Sequence, residues 1–193
     1  MNNLGNYYKN IDTDYELMMK YYLMSIELGH NISMYNLGHY YQYVEINYEL
    51  MKKYYLMAIE LKDSISMNNL GYYYKKIEND NELMKKYYLM AIELGNTNSM
   101  INLGHYYQYV EKNYESMKKN YLMAIKLENH FAMYNLGHYY QSVDKNYELM
   151  KKYYLMAIEL KNTTSMNNLG HYYQNIEKNY ELMKKYYLMA IES

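Results

Sequence analysis

Apolar residues return at helical spacing along the whole chain, in two sets within each stretch of 33 residues. In residues 34–66, Met34, Leu37, Tyr40, Tyr41 and Val44 share one face with Gly38. This predicts a first helix, A, over Met34–Val44, with Ser33 as its N-cap. A second set comprises Tyr48, Leu50, Met51, Tyr54, Tyr55, Met57, Ala58, Ile59 and Leu61. It predicts a helix B that starts at Asn47, a suitable cap, with Glu49 favourable in the first turn. At ~100° per residue the second set covers about 200°, so helix B needs more than one neighbour to bury it. Gly29 and Gly95 read as C-terminal stops, with Asp63, Asn129 and Asn162 near the same place in other copies.

The pattern is one unit written repeatedly. Met-x-Asn-Leu-Gly begins at Met1, Met34, Met67, Met100, Met133 and Met166, with no insertion between copies. The predicted units are 1–33, 34–66, 67–99, 100–132, 133–165 and 166–193, forming a single repeat domain over 1–193. A lone pair of short helices cannot bury this much apolar surface, whereas stacked pairs can. The prediction is an all-α solenoid of six antiparallel helix pairs. Glycine inside helix A costs about 1 kcal/mol relative to alanine. Gly38 on A and Ala58 on B are therefore expected to let the two axes approach closely.

Leu-Gly-x-x-Tyr in helix A, followed by a Tyr-Tyr pair and alanine in helix B, resembles tetratricopeptide-type repeats. It is closer still to their Sel-one-like branch. The segments that carry the likeness are "MYNLGHYY", "VEINYELM" and "YYLMAIELK" in the second unit, Asp14-Tyr15 in the first, and the terminal Gly29. The resemblance extends over all six units and implies a right-handed superhelix. Two departures are the missing G-x-G turn between the helices and methionine in place of two of the usual alanines. The resemblance implies a soluble, non-enzymatic scaffold or adaptor for protein–protein interaction, often through a concave groove lined by the A helices.

The polar face of helix A supplies the candidate surface. One row is Asn3, Asn36, Asn69, Asn102, Asn135 and Asn168, and the next is Asn6, His39, Tyr72, His105, His138 and His171. A third is Lys9, Gln42, Lys75, Gln108, Gln141 and Gln174, with Tyr35 and Tyr134 beside the first. Carboxamides both donate and accept, so the ladder could bind an extended peptide; equally, each asparagine could tie one helix to its neighbour. The histidines do not suggest a metal site, since units about 10 Å apart would have to converge on bonds of about 2 Å. Partly exposed imidazoles titrating near neutrality are expected instead. On helix B, Glu49 and Lys53 are expected to pair at i,i+4. Leu23, Leu56, Leu89, Leu122, Leu155 and Leu188 fall in the charged arc, where lysine stems or a helical seam should cover them, the alternative being a second, outer contact ridge.

Composition narrows the remaining classes. Twenty basic residues, all lysine, meet 21 acidic ones, and the net charge is −1. That balance disfavours nucleic acid, leaving an RNA-reading helical repeat as a weak alternative. The absence of cysteine excludes disulfides and thiol chemistry. No paired carboxylates, nucleophile–base order or phosphate loop points to an enzyme or to a cofactor. Apolar runs such as "YYLMAI" are too short to span a bilayer, and "MNNLGNYYKN" does not read as a signal peptide, so a soluble, intracellular and cytoplasmic protein is expected. The array begins and ends without a polar capping helix, so end-to-end self-assembly is a further expectation.

Overall fold

The computed structural model describes residues 1–193 and contains twelve α-helices and no strand. The chain divides into two compact segments, Met1–Ser99 and Met100–Ser193. The first holds α1 (Asn2–Asn10), α2 (Tyr15–Glu27), α3 (Asn31–Tyr43), α4 (Tyr48–Glu60), α5 (Ser64–Tyr73) and α6 (Asn81–Glu93). Helix α7 (Thr97–Tyr106) follows. The second segment continues with α8 (Tyr114–Lys126), α9 (His130–Tyr139), α10 (Tyr147–Glu159), α11 (Thr163–Tyr172) and α12 (Tyr180–Glu192). Odd-numbered helices are the predicted A helices and even-numbered ones the B helices. Within the first segment α3 packs on α4 and α4 on α5; within the second, α9 packs on α10 and α10 on α11.

Helix B begins where the sequence places it. Asn47, Asn113, Asn146 and Asn179 accept the backbone N–H three residues on, and Asp14 and Asp80 do the same for α2 and α6. Helix A begins earlier than expected. In α3 it starts at Asn31 rather than Met34, and Ser33 is buried inside it, its hydroxyl donating to Asn2 Oδ1 at 3.0 Å. The caps of α5, α9 and α11 are Asp63, Asn129 and Asn162, residues expected near the stops of helix B. They serve both helices: each backbone N–H closes the preceding helix on the carbonyl of Ala58, Ala124 or Ala157, and each side chain caps the next. The left-handed stop falls one residue earlier, on Gly29 and Gly95 as expected, and on Lys62, Glu128 and Lys161 elsewhere.

The end of helix A also departs from the prediction. A π-helical turn covers residues 74–78, 107–111, 140–144 and 173–177, followed by a left-handed residue at Asn79, Lys112, Lys145 or Lys178. The corresponding left-handed residues in the first two repeats are Thr13 and Ile46. Val44, expected in the core, lies just past the end of α3 and is 46% exposed. Leu61 is likewise exposed rather than buried.

The core consists largely of tyrosine. Tyr41 stacks on Tyr54, Tyr74 on Tyr87, Tyr140 on Tyr153 and Tyr173 on Tyr186, with centroids 5.5–5.7 Å apart and planes within 5°. The preceding tyrosines Tyr40, Tyr73, Tyr139 and Tyr172 meet these rings edge-on and touch the first residue of a neighbouring B helix, as in Tyr48–Tyr73 and Tyr147–Tyr172. The second tyrosine of the B doublet covers the glycine. Tyr55 lies over Gly38, and Tyr22, Tyr88, Tyr121, Tyr154 and Tyr187 lie over Gly5, Gly71, Gly104, Gly137 and Gly170. A Cβ on Gly38 would stand 2.5 Å from the Tyr55 ring, so the glycine makes room for an aromatic ring and does not face Ala58.

Outer charges pair with a different register from the expected one. Lys52, not Lys53, meets Glu49 at 2.9 Å and reaches Glu78 at 3.5 Å; Lys151 repeats this with Glu148 and Glu177. The leucine row is not covered: Leu23, Leu56, Leu89, Leu122, Leu155 and Leu188 remain 40–48% exposed. No helix is long and apolar enough to cross a membrane.

Candidate functional site

The glycine–tyrosine packing places the tyrosine hydroxyl one helical turn along helix A, where a glutamine waits. Tyr55 Oη donates to Gln42 Oε1 at 2.7 Å, and Tyr121, Tyr154 and Tyr187 donate to Gln108, Gln141 and Gln174 at 2.9, 2.6 and 3.1 Å. The hydroxyl then accepts from the asparagine of the next repeat: Asn69 Nδ2 reaches Tyr55 Oη at 3.2 Å, and Asn168 reaches Tyr154 Oη at 3.3 Å. Gln42–Tyr55–Asn69 and Gln141–Tyr154–Asn168 are therefore relays that join both helices of one repeat to the first helix of the next. Burial pushes the Tyr55 and Tyr154 hydroxyls well above the ordinary phenol value, so they remain neutral donors.

The first repeat substitutes within this scheme. Lys9 stands where glutamine would be, and Tyr22 Oη donates instead to Asn6 Oδ1 at 2.6 Å. Asn36 Nδ2 bridges to Asn6 and Asn2, each at 3.2 Å. In the third repeat Lys75 takes the glutamine position, and the buried Tyr88 hydroxyl has no hydrogen-bond partner. Asn3 is exposed at the start of α1, whereas Asn102 and Asn135 lie half-buried at the same register as Asn36.

The rings on this face are less occupied than the amides. His39 packs between Tyr35 and Tyr43, with centroids 6.0 and 4.7 Å away. His105 touches Tyr109 and Tyr121, and His138 touches Tyr134. His171 is exposed. Burial, aided at His39 by Lys9, holds His39 below the ordinary imidazole value, and burial alone does so for His138. These two imidazoles are kept neutral, where free titration near neutrality was expected. Tyr43, Tyr72 and Tyr109 project furthest, at 54, 40 and 56% exposure. Tyr109 was not singled out from the sequence. Its position is also occupied by Tyr43, Lys76, Ser142 and Asn175, and that variation between otherwise similar copies is the available signal.

The residues therefore divide into a hydrogen-bonded inner layer of amides and tyrosines and an outer layer of aromatic and imidazole rings. No group of three or more His, Asp or Glu side chains is placed to hold a metal ion.

No family model matches the chain, and no curated protein matches it in sequence. Solved structures do. A protective antigen of uropathogenic Escherichia coli displaying an SLR fold superposes with a TM-score of 0.76 at 22% identity, over 99% of this chain and 45% of its own. This chain thus spans less than half of that protein. A Sel1 repeat protein from Oxalobacter formigenes gives 0.77 at 20% identity, over 99% of this chain and 86% of its own. An immunity protein from Pseudomonas aeruginosa gives 0.61 at 21% identity, over 91% and 73%. At such identities the likeness is one of fold. With its repeated helix pairs, the chain is an all-α helical-repeat solenoid whose fold is similar to that of the solved Sel1-repeat structures.

Proposed function

We propose that the chain is a non-enzymatic interaction scaffold that holds a segment of a partner protein along the A-helix face. The observation that supports this reading is the outer ring layer: Tyr43, Tyr72 and Tyr109 stand exposed above amides already bound within the fold. Tyrosine gives large contact area for two side-chain torsions and is enriched in the cores of protein interfaces. Tyr43 and Tyr109 pack against His39 and His105, contacts that restrict their rotamers and lower the entropy lost on binding. In this reading the asparagines and glutamines position the surface, and the tyrosines and imidazoles make the contact.

The test is affinity capture with three versions of the full chain: wild type, Tyr43→Ala with Tyr109→Ala, and an outer-face control, Leu56→Ala with Leu155→Ala. The proposal expects partners of the wild type to survive the leucine control and to be lost from the tyrosine variant. Retention of the same partners by the tyrosine variant would remove the A-helix face from the account.

A further inference from the structure

Between the ends of α3 and α5 lies a cavity of about 190 Å³, bordered by Gln42, Tyr43, Tyr72, Tyr73, Lys76 and Ile77. It occurs where the copies differ from one another. The place of Tyr72 is histidine in four other repeats, and the place of Lys76 is serine or asparagine in the fifth and sixth. The walls are aromatic and aliphatic, and Lys76 stands exposed at the rim. The Oε1 of Gln42 is occupied by Tyr55, which leaves the amide donors of Gln42 for the cavity side.

None of the six A helices contains an aspartate or glutamate, and the π-helical turn that carries Lys75 and Lys76 carries one carboxylate, Glu78. The face in the first segment carries Lys9, Lys75 and Lys76, none of them in an ion pair. The carboxylate beside these lysines is engaged: Glu78 accepts from Tyr73 Oη at 2.7 Å and pairs with Lys52.

We infer that this cavity is the anchor site for an acidic partner segment, taking one aromatic or aliphatic side chain while neighbouring carboxylates meet Lys76, Lys75 and Gln42. The inference rests on the scaffold reading above and adds the chemistry of the partner. An apolar pocket with a few convergent donors fixes one side chain and its orientation, and like-signed lysines reject a basic segment. Burial already depresses the Lys75 ammonium, with Lys76 adding to the effect, so an incoming carboxylate relieves an existing cost.

The experiment titrates the full chain into fluorescein-labelled Ac-EEFEE-NH2, its neutral twin Ac-QQFQQ-NH2 and its basic twin Ac-KKFKK-NH2, followed by anisotropy. Lys76→Ser and Tyr72→His serve as variants, because the protein's own repeats carry those residues at the same place and helicity should be retained. The acidic peptide should bind at least tenfold tighter than either twin and weaken at least tenfold in each variant. Added salt should weaken it too. Equal binding of the neutral twin overturns the acidic preference while leaving the scaffold reading intact. Unchanged affinity in both variants, or no binding by any peptide, overturns the site itself; affinity capture with the tyrosine variant tests the scaffold reading separately.

Discussion

Replacing Gly38 by alanine should destabilise the protein although alanine is the better helix former. The new Cβ would stand 2.5 and 2.6 Å from two ring carbons of Tyr55, about 1 Å inside ordinary contact. Tyr55 cannot easily yield: it is fully buried, donates to Gln42 at 2.7 Å and accepts from Asn69 at 3.2 Å. Overpacking of this kind costs ~1–3 kcal/mol, and loosening buried hydrogen bonds costs ~1–3 kcal/mol more. The helix gains about 1 kcal/mol from alanine, which leaves a net loss of roughly 3 kcal/mol. For a chain of this size that is a fall in Tm of about 6–12 °C. The same change at Gly170 is the control. Its Cβ would meet Tyr187 at 2.9 Å, and Tyr187 is only half-buried and bound to an exposed Gln174. Gly170→Ala should therefore be close to neutral. Urea denaturation followed by circular dichroism, with hydrogen exchange to localise the effect, measures both. If Gly38→Ala raises stability by the helix-propensity increment, the ring-on-glycine account is wrong.

Further expectations follow from the same lattice. Tyr154→Phe removes the hydroxyl between Gln141 and Asn168 and should cost about 1–3 kcal/mol in urea denaturation. Tyr88→Phe, by contrast, removes a buried hydroxyl without a partner and should be neutral or stabilising by up to about 1 kcal/mol. Ile46 is β-branched, left-handed with φ 54°, and 55% exposed; Ile46→Gly should raise stability by roughly 0.5–1 kcal/mol on thermal melting. Tyr22 is pushed from 10.0 to about 12 by burial. An unfolded phenol ionises near 10 while the folded one stays neutral, so stability holds below pH 10 and falls as pH rises toward 12; tyrosinate absorbance should rise together with loss of helix. On the acid side, neutral His39 and His138 take up protons more readily when unfolded, so stability should also decline as pH falls below their ordinary 6.5.

Much of this architecture was legible because periodicity reports which face a residue occupies. The repeat register, the helix B cap at Asn47, and the stops at Gly29 and Gly95 follow from spacing and local hydrogen-bond chemistry. Spacing does not report which neighbour fills a face. Gly38 was correctly placed against helix B, but its partner is the ring of Tyr55, not Ala58, and only the packed structure distinguishes a large residue from a small one there. The early start of helix A was hidden because Asp63 and Asn162 look like stops of one helix while capping the next. The π-helical turns were hidden for another reason: Lys112, Lys145 and Lys178 give no sequence signal for a left-handed backbone, as glycine would. Of the candidate site, the polar ladder was visible as a set of residues. Its use of Gln42 and Asn69 to bind Tyr55 depends on the ring crossing the glycine.

The claim that the A-helix face carries the partner is tested most directly by site-specific photo-cross-linking of the full chain. A benzophenone amino acid would replace Tyr43 or Tyr109 on that face, and Leu56 or Leu155 on the outer face. The account predicts that each of the first two positions gives an adduct to a partner segment, and that the leucine positions give none to those segments. Adducts to the same segment from Leu56 and Leu155, with none from Tyr43 and Tyr109, would place binding on the outer leucine row and contradict it.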